Sequence, residues 1–370
     1  MIQIEGANCK AKVYAESIDR MAQGFIKKLC DSPVAKDNQI AIMPDVHPSK
    51  GSVVGLVMTY TDKIIPGLIG TDIGCGIKTV EIKSKRKIDF NKLDKVIRQY
   101  IPSGADVHED FFYKPSYTAN LEDLTCKKHL SMDRVMRSIG TLGGGNHFIE
   151  IDKSDDDRFF LNIHTGSRCL GAQIACYYED LAYNKCKGYS CYELSWLEDN
   201  NLGRYINDAN IAEVYAIINR DAIASKICRE MKFDILDEFD TIHNYIDFSD
   251  NIIRKGAIAA NKYERLTIPL NMAEGCIIGK GKSNYAWLYS APHGTGRAYS
   301  RTEASNMFTL TTYKNAMKGV YSTCIKKDTI DESPMAYKSS QEVLDQIHDT
   351  VEIRDRLYPV YNFKAGWFDD

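Results

Sequence analysis

The chain carries no G-x-x-x-x-G-K-[ST] phosphate loop and no G-x-G-x-x-G dinucleotide fingerprint, so any nucleotide chemistry must rest on another kind of site. No stretch approaches the roughly 20 apolar residues of a membrane span, and Met1-Ile2-Gln3-Ile4-Glu5-Gly6 lacks the basic region and apolar run of a secretory signal. A cytoplasmic location is therefore expected. An excess of one charge is missing too: 47 Lys+Arg against 50 Asp+Glu give a formal net charge of −3, so any anion site must be local. No repeat, linker or low-complexity tract divides the 370 residues, and a single domain over residues 1–370 is expected. The composition, 44% hydrophobic and 26% charged, is that of a globular protein with a large core. Eleven cysteines are many, but the number is odd and no secretory signal accompanies them; buried reduced thiols are expected rather than a disulfide framework.

Periodicity supplies a mixed α/β (α+β) fold class. Apolar residues at near-helical spacing predict helices over 13–30, 89–101, 170–184 and 210–232. Strand-like segments run over Gln39 to Met43, Ser52 to Thr59, Lys78 to Ile82, Phe148 to Ile151, Phe159 to Ile163 and Asn284 to Ser290.

The most informative segment is Gly70-Thr71-Asp72-Ile73-Gly74-Cys75-Gly76, a carboxylate and a thiol three residues apart in a glycine-punctuated turn. That spacing lets both side chains point to one side, as half of a metal site would require. Histidines that could complete it recur in one setting, where an apolar strand meets a glycine turn: His147 in Gly145-Asn146-His147-Phe148, His164 in Ile163-His164-Thr165-Gly166, and His293 in Pro292-His293-Gly294-Thr295-Gly296-Arg297. Thr241-Ile242-His243-Asn244 adds a fourth. Any one of them alone reads as a surface or hydrogen-bonded core histidine. Together with Asp72 and Cys75 they exceed one closed tetrahedral site and suggest an open catalytic ion or two ions sharing a ligand, a role that suits thiolate. By ligand type alone zinc or another borderline divalent ion fits better than manganese. Arg168, Arg297 and Arg301, with Arg254-Lys255, cluster near these motifs and suit phosphate oxygens. His47 reads as a structural hydrogen-bonding residue, and His108, His129 and His348 as exposed.

Read in order, Met43-Pro44-Asp45-Val46-His47, Gly70 to Gly76, Gly143 to Glu150, His164 to Arg168, His243-Asn244, Arg254 to Ala257, His293 to Arg301 and Asp331 to Lys338 resemble the RtcB family of RNA-splicing ligases. The resemblance implies a single domain whose β-sheets line a dinuclear metal cleft surrounded by helices. It implies an RNA ligase that joins a 2′,3′-cyclic phosphate or 3′-phosphate end to a 5′-hydroxyl end, using GTP and two Mn2+ ions, in RNA splicing or repair. Cys75 would bridge the ions, with Asp72 and His147 on one and His164 and His243 on the other. His293 would be the nucleophile that takes up GMP, and Asp45 an acidic residue used during ligation, although it also reads as a turn cap before His47. Nucleotide contacts would come from Asn146, His147, Phe148, Ile149, Glu150, His243, Asn244, Met272, His293, Gly294, Thr295, Gly296 and Lys364. RNA phosphates would lie on Arg168, Arg297 and Arg301, and the helper protein archease is a possible partner. The chain departs from the family pattern at Pro269-Leu270-Asn271-Met272, at Cys276 where a serine is usual, at Ile253, and in the tail Ala365 to Asp370 after Lys364, which leaves nucleotide preference less fixed than the metal site. A metal-dependent phosphodiesterase or nucleotidyl transferase without sealing activity is the alternative enzyme, and a metal-binding RNA chaperone the alternative outside enzymes.

Overall fold

Two sheets account for most of the strand residues in the computed structural model, which describes residues 1–49, 51–110 and 120–366. The six-stranded sheet runs Ile2–Glu5, Lys10–Val13, Ile40–Ser49, Ser52–Thr59, Ile252–Lys255 and Asn244–Asp247 in spatial order. Its one parallel pair, Lys10–Val13 with Ile40–Ser49, is joined by the Arg20–Asp31 helix. The seven-stranded sheet is antiparallel throughout, in the order Asp234–Ile242, Gly76–Lys83, Phe159–Thr165, Phe148–Ser154, Val351–Phe363, Gly275–Gly281 and Arg265–Asn271. It curls until its edges meet: the Thr267 N–H on one edge strand donates to Thr241 Oγ1 on the other at 3.0 Å. The mixed α/β class expected from periodicity is what is found.

Strand alternation sorts the motif residues. Ile149, Ile151, Leu161 and Ile163 point into a core shared with the Phe90–Tyr100 and Asp199–Met231 helices. Their neighbours Phe148, Glu150, Asn162 and His164 take the opposite, inner face, paired across the strands as Phe148 with His164 and Glu150 with Asn162.

Boundaries moved for physical reasons. Asp19 caps the first helix by accepting from Met21 N at 2.7 Å, so the helix begins at Arg20 and the apolar residues before it belong to a strand and a connection. The long helix starts at Asp199, eleven residues before the expected 210, because Tyr205 and Ala209 continue its buried stripe through a polar sequence. Asn284 to Ser290 is not a strand. Asn284 caps a 3-10 turn at Tyr285–Trp287, and Leu288 and Tyr289 have φ of 50° and 54°; only Ser290–Pro292 pairs. No helix among the described residues is long and apolar enough to cross a membrane.

Candidate metal centre and the adjoining cavity

Cys75 closes its turn with its own N–H bonded to Asp72 O at 3.2 Å, and the turn is tied to the fourth histidine because His243 N–H donates to Cys75 O at 2.9 Å. Behind it, the buried Arg220 of the long helix donates to Gly74 O at 2.8 Å and Thr165 O at 2.9 Å, with Asp240 as its ion-pair partner at 2.6 Å. Asn219, one residue earlier, accepts from Gly140 N and Thr141 N and donates to Gly166 O. These two side chains pin the Cys75 turn, the His164 strand and the glycine run before His147 to one helix. Gly166 is required by proximity, since a Cβ there would lie 2.2 Å from Asp72 Oδ1.

Two ligand sets result, Asp72–Cys75–His147 and Cys75–His164–His243, sharing the thiol. Their hydrogen bonds test whether cations fit. His147 Nδ1–H donates to Leu142 O at 2.9 Å, so its Nε2 lone pair faces Asp72 Oδ2 at 3.0 Å and Cys75 Sγ at 3.5 Å. His164 Nδ1–H donates to Asn146 O at 3.1 Å, which turns its Nε2 lone pair toward His243 Nε2 at 3.3 Å and Cys75 Sγ at 3.4 Å. Acceptors converging on acceptors call for a cation between them, and backbone carbonyls behind metal-bound imidazoles are the usual orienting partners. Burial holds His164 and His243 well below the usual imidazole range, with neighbouring imidazoles adding to it, so both are neutral ligands. Burial and the Asp72 charge push the Cys75 thiol up, so its thiolate requires the ion.

His293 stands beside the second set, its ring 4.7 Å from that of His243 and edge-on to it at 67°. Its Nδ1–H donates to Asp45 Oδ2 at 2.6 Å, leaving Nε2 with a free lone pair. Asp45 is fully buried within the Ile40–Ser49 strand, so it is not a turn cap; its backbone oxygen takes the His47 Nδ1–H at 2.9 Å, and burial lowers His47 to about 4. Gly256, at φ 59°, brings backbone under the His293 ring, where a Cβ would lie 3.2 Å from Cε1.

From His164 and His293 a cavity of about 430 Å3 opens, lined by Asn146, Phe148, Glu150, Met272, Gly294, Thr295, Gly296, Arg297, Arg301 and Lys364 among others. Four expected contacts lie elsewhere. Ile149 packs in the core; Asn244 clamps Asp72 O and the Gly256 N–H; His147 and His243 belong to the ligand sets. Arg168 lies behind the centre against Thr141, Gly104 and His147, and Arg254 is buried in an ion pair with Asp247 at 2.8 Å, so neither presents its guanidinium to the cavity.

One residue that organises the cavity lies in the Asp331 to Lys338 segment, yet the sequence assigns it no role. Glu332, 2% exposed, receives Lys364 Nζ at 2.8 Å, Arg297 at 3.1 Å, Arg301 and the Tyr337 hydroxyl. Its partners lie at positions 297, 301, 337 and 364, which no local pattern connects. Burial pushes its carboxyl up, but Lys364, Arg301 and Arg297 outweigh that and hold it well below the ordinary range. Glu332→Gln is expected to cost about 3–5 kcal/mol, because it leaves buried cations without their counter-charge. A depressed carboxyl contributes stability above its unfolded pKa of about 4.3 and loses it as pH falls. Melting curves of the variant should therefore lie well below wild type at pH 7 and converge toward it in acid; parallel curves at every pH would contradict the assignment.

The family model described as tRNA-splicing ligase RtcB matches residues 28–365. The chain is 30% identical over 362 aligned residues to the RNA-splicing ligase RtcB of Escherichia coli strain K12, covering 85% of this chain and 87% of that protein. It is 25% identical to the tRNA-splicing ligase RtcB of Methanococcus maripaludis, covering 83% and 84%.

Proposed function

The chain belongs to the RtcB family of RNA-splicing ligases, and on that premise we propose that it seals RNA ends, joining a 2′,3′-cyclic phosphate or 3′-phosphate to a 5′-hydroxyl with GTP and two Mn2+ ions. The observation that carries the reading is His293, a buried-side imidazole with Nδ1–H committed to Asp45 and Nε2 free, between the shared-thiol ligand sets and the cavity. The thiol favours a softer ion than manganese, but the remaining carboxylate and imidazole donors accept either, and manganese is the ion we propose. Bound there, the ions neutralise phosphate charge and polarise phosphorus toward attack.

The chain's own residues account for the rest. His293 Nε2 attacks the α-phosphorus of GTP as the bond to pyrophosphate breaks, and Asp45 holds the Nδ1 proton and stabilises the positive charge that develops on the ring. The guanylyl group then passes to an RNA 3′-phosphate oxygen as its bond to Nε2 breaks. The RNA 5′-hydroxyl attacks that phosphate, losing its proton and expelling GMP. Arg297 and Arg301, steadied by Glu332, are suited to phosphate oxygens. Phe148, Glu150 and Lys364 offer the cavity wall an aromatic face, an acidic group and a cation for a base. The buried cysteines, among them Cys30, Cys126, Cys228 and Cys324, are reduced thiols, which suits the cytoplasmic setting we infer.

Asp45→Asn tests the arrangement with little change in shape. An amide cannot fix the Nδ1–H tautomer or balance an imidazolium, so sealing should fall about 10²–10⁴-fold while GTP affinity stays within a few-fold. Equal losses in rate and affinity would contradict this role.

A further inference from the structure

Behind Glu150 on the cavity wall lies an acidic and sulfur cluster that none of these steps uses. Glu150, Asp152 and Cys276 bring one oxygen or sulfur each within 4.8 Å of one another, and they are 2%, 0% and 0% exposed. Groups so buried cannot all carry charge, and two adjacent carboxyls resist double ionisation.

Hydrogen bonds locate the missing proton. Asn162 has a fixed amide orientation: its Oδ1 accepts from Thr79 Oγ1 at 2.8 Å, so its Nδ2 donates, to Asp152 Oδ2 at 2.7 Å. Asn362 Nδ2 donates to Glu150 Oε2 at 2.5 Å. Glu150 Oε1 then has Cys276 Sγ at 3.9 Å, and Asp152 Oδ1 is buried with no partner. The Cys276 S–H points to Glu150 Oε1 as a long, weak donor, so Asp152 Oδ1 is the carboxyl oxygen left needing a hydrogen. The groups facing the pair from other strands are Cys276, Asn162, Asn362 and Arg356, with Lys364 beyond them; Lys364 is engaged by Glu332 at 2.8 Å and Arg356 by Glu274 at 3.5 Å. Only Glu150 and Asn362 of the cluster's residues line the cavity, and Asn362 Oδ1 is a second buried acceptor without a donor.

We propose that Asp152 is a positioning residue for base recognition: it shares one proton with Glu150, so the pair carries a single negative charge and Glu150 keeps an acceptor oxygen toward the N–H donors of a purine base. The base rests on the GTP reading above; the shared proton does not. Burial pushes both carboxyls up, Asp152 to about 6, so the pair stays singly protonated at neutral pH and takes a second proton in mild acid.

The full chain, with Asp152→Asn and Glu150→Gln variants, tests this by infrared difference spectra at pH 7 without nucleotide and by guanosine binding across pH. A protonated-carboxyl band should be present in wild type and lost in both variants. Guanosine binding should weaken in wild type as pH falls through about 6, and the midpoint should rise by about one unit in Asp152→Asn, where Glu150 has lost the shared proton that steadies its negative charge. A band that survives both substitutions, or an unmoved midpoint, would overturn the proposal. So would a bound metal equivalent lost with Cys276→Ser, which would put an ion in the proton's place. Loss of the band with no guanosine binding at any pH would leave the shared proton standing and defeat the nucleotide reading instead.

Discussion

Cys75→Ala is expected to lower bound metal from two ions per chain toward none and to reduce RNA sealing by at least about 10³-fold. The thiol belongs to both ligand sets, so its removal leaves Asp72 with His147 on one side and His164 with His243 on the other. Two ligands each fall short of the three or more protein donors that hold catalytic ions. The fold should survive, because the turn is held by Arg220, Asn244 and the His243 N–H rather than by the sulfur. Metal content after dialysis against Mn2+, compared with Asp72→Ala and His243→Ala, checks the claim. The outer-ligand variants should lose about one ion each. Two ions retained in Cys75→Ala would show that the sets do not share the thiol.

The second large effect is expected at His293. His293→Ala should abolish sealing, about 10⁴-fold or more, while leaving two bound ions and GTP affinity within a few-fold of wild type. The reason is geometric: the ring lies beside His243 but outside both ligand sets, and it contributes one stretch of a cavity lined by many other residues. Loss of metal together with activity would make His293 a ligand rather than a nucleophile. Metal and nucleotide binding retained without sealing is the pattern the proposed chemistry requires.

Much of the site was legible because its ligands sit in local patterns. A carboxylate and thiol in one glycine turn, and histidines at strand-to-glycine junctions, carry a signal within a few residues. What surrounds them does not. Arg220 and Asn219 look like ordinary helix residues until the chain is folded, and Glu332, though in the Asp331 to Lys338 segment, does its work through partners far apart in sequence that the segment does not reveal. Arg168 and Arg254 misled for the converse reason: proximity to a motif says nothing about which way a long side chain runs, and both turn inward. Ile149 shows the same limit on a strand, where every second residue of a motif must face the core. Among the elements, the Phe90–Tyr100 and Arg168–Lys185 helices matched their apolar spacing, whereas the Asn284 to Ser290 run looked like a strand because its aromatic residues pack in a turn with left-handed backbone.

The central claim is that His293 takes up a guanylyl group at this centre. Intact mass of the purified chain, cleared of any pre-existing adduct and then incubated with GTP and Mn2+, with or without archease, reads it directly. A gain of one GMP in wild type, absent in His293→Ala and absent when ATP replaces GTP, is the predicted result. No gain under any of these conditions, in protein shown to hold its two ions, would contradict the account.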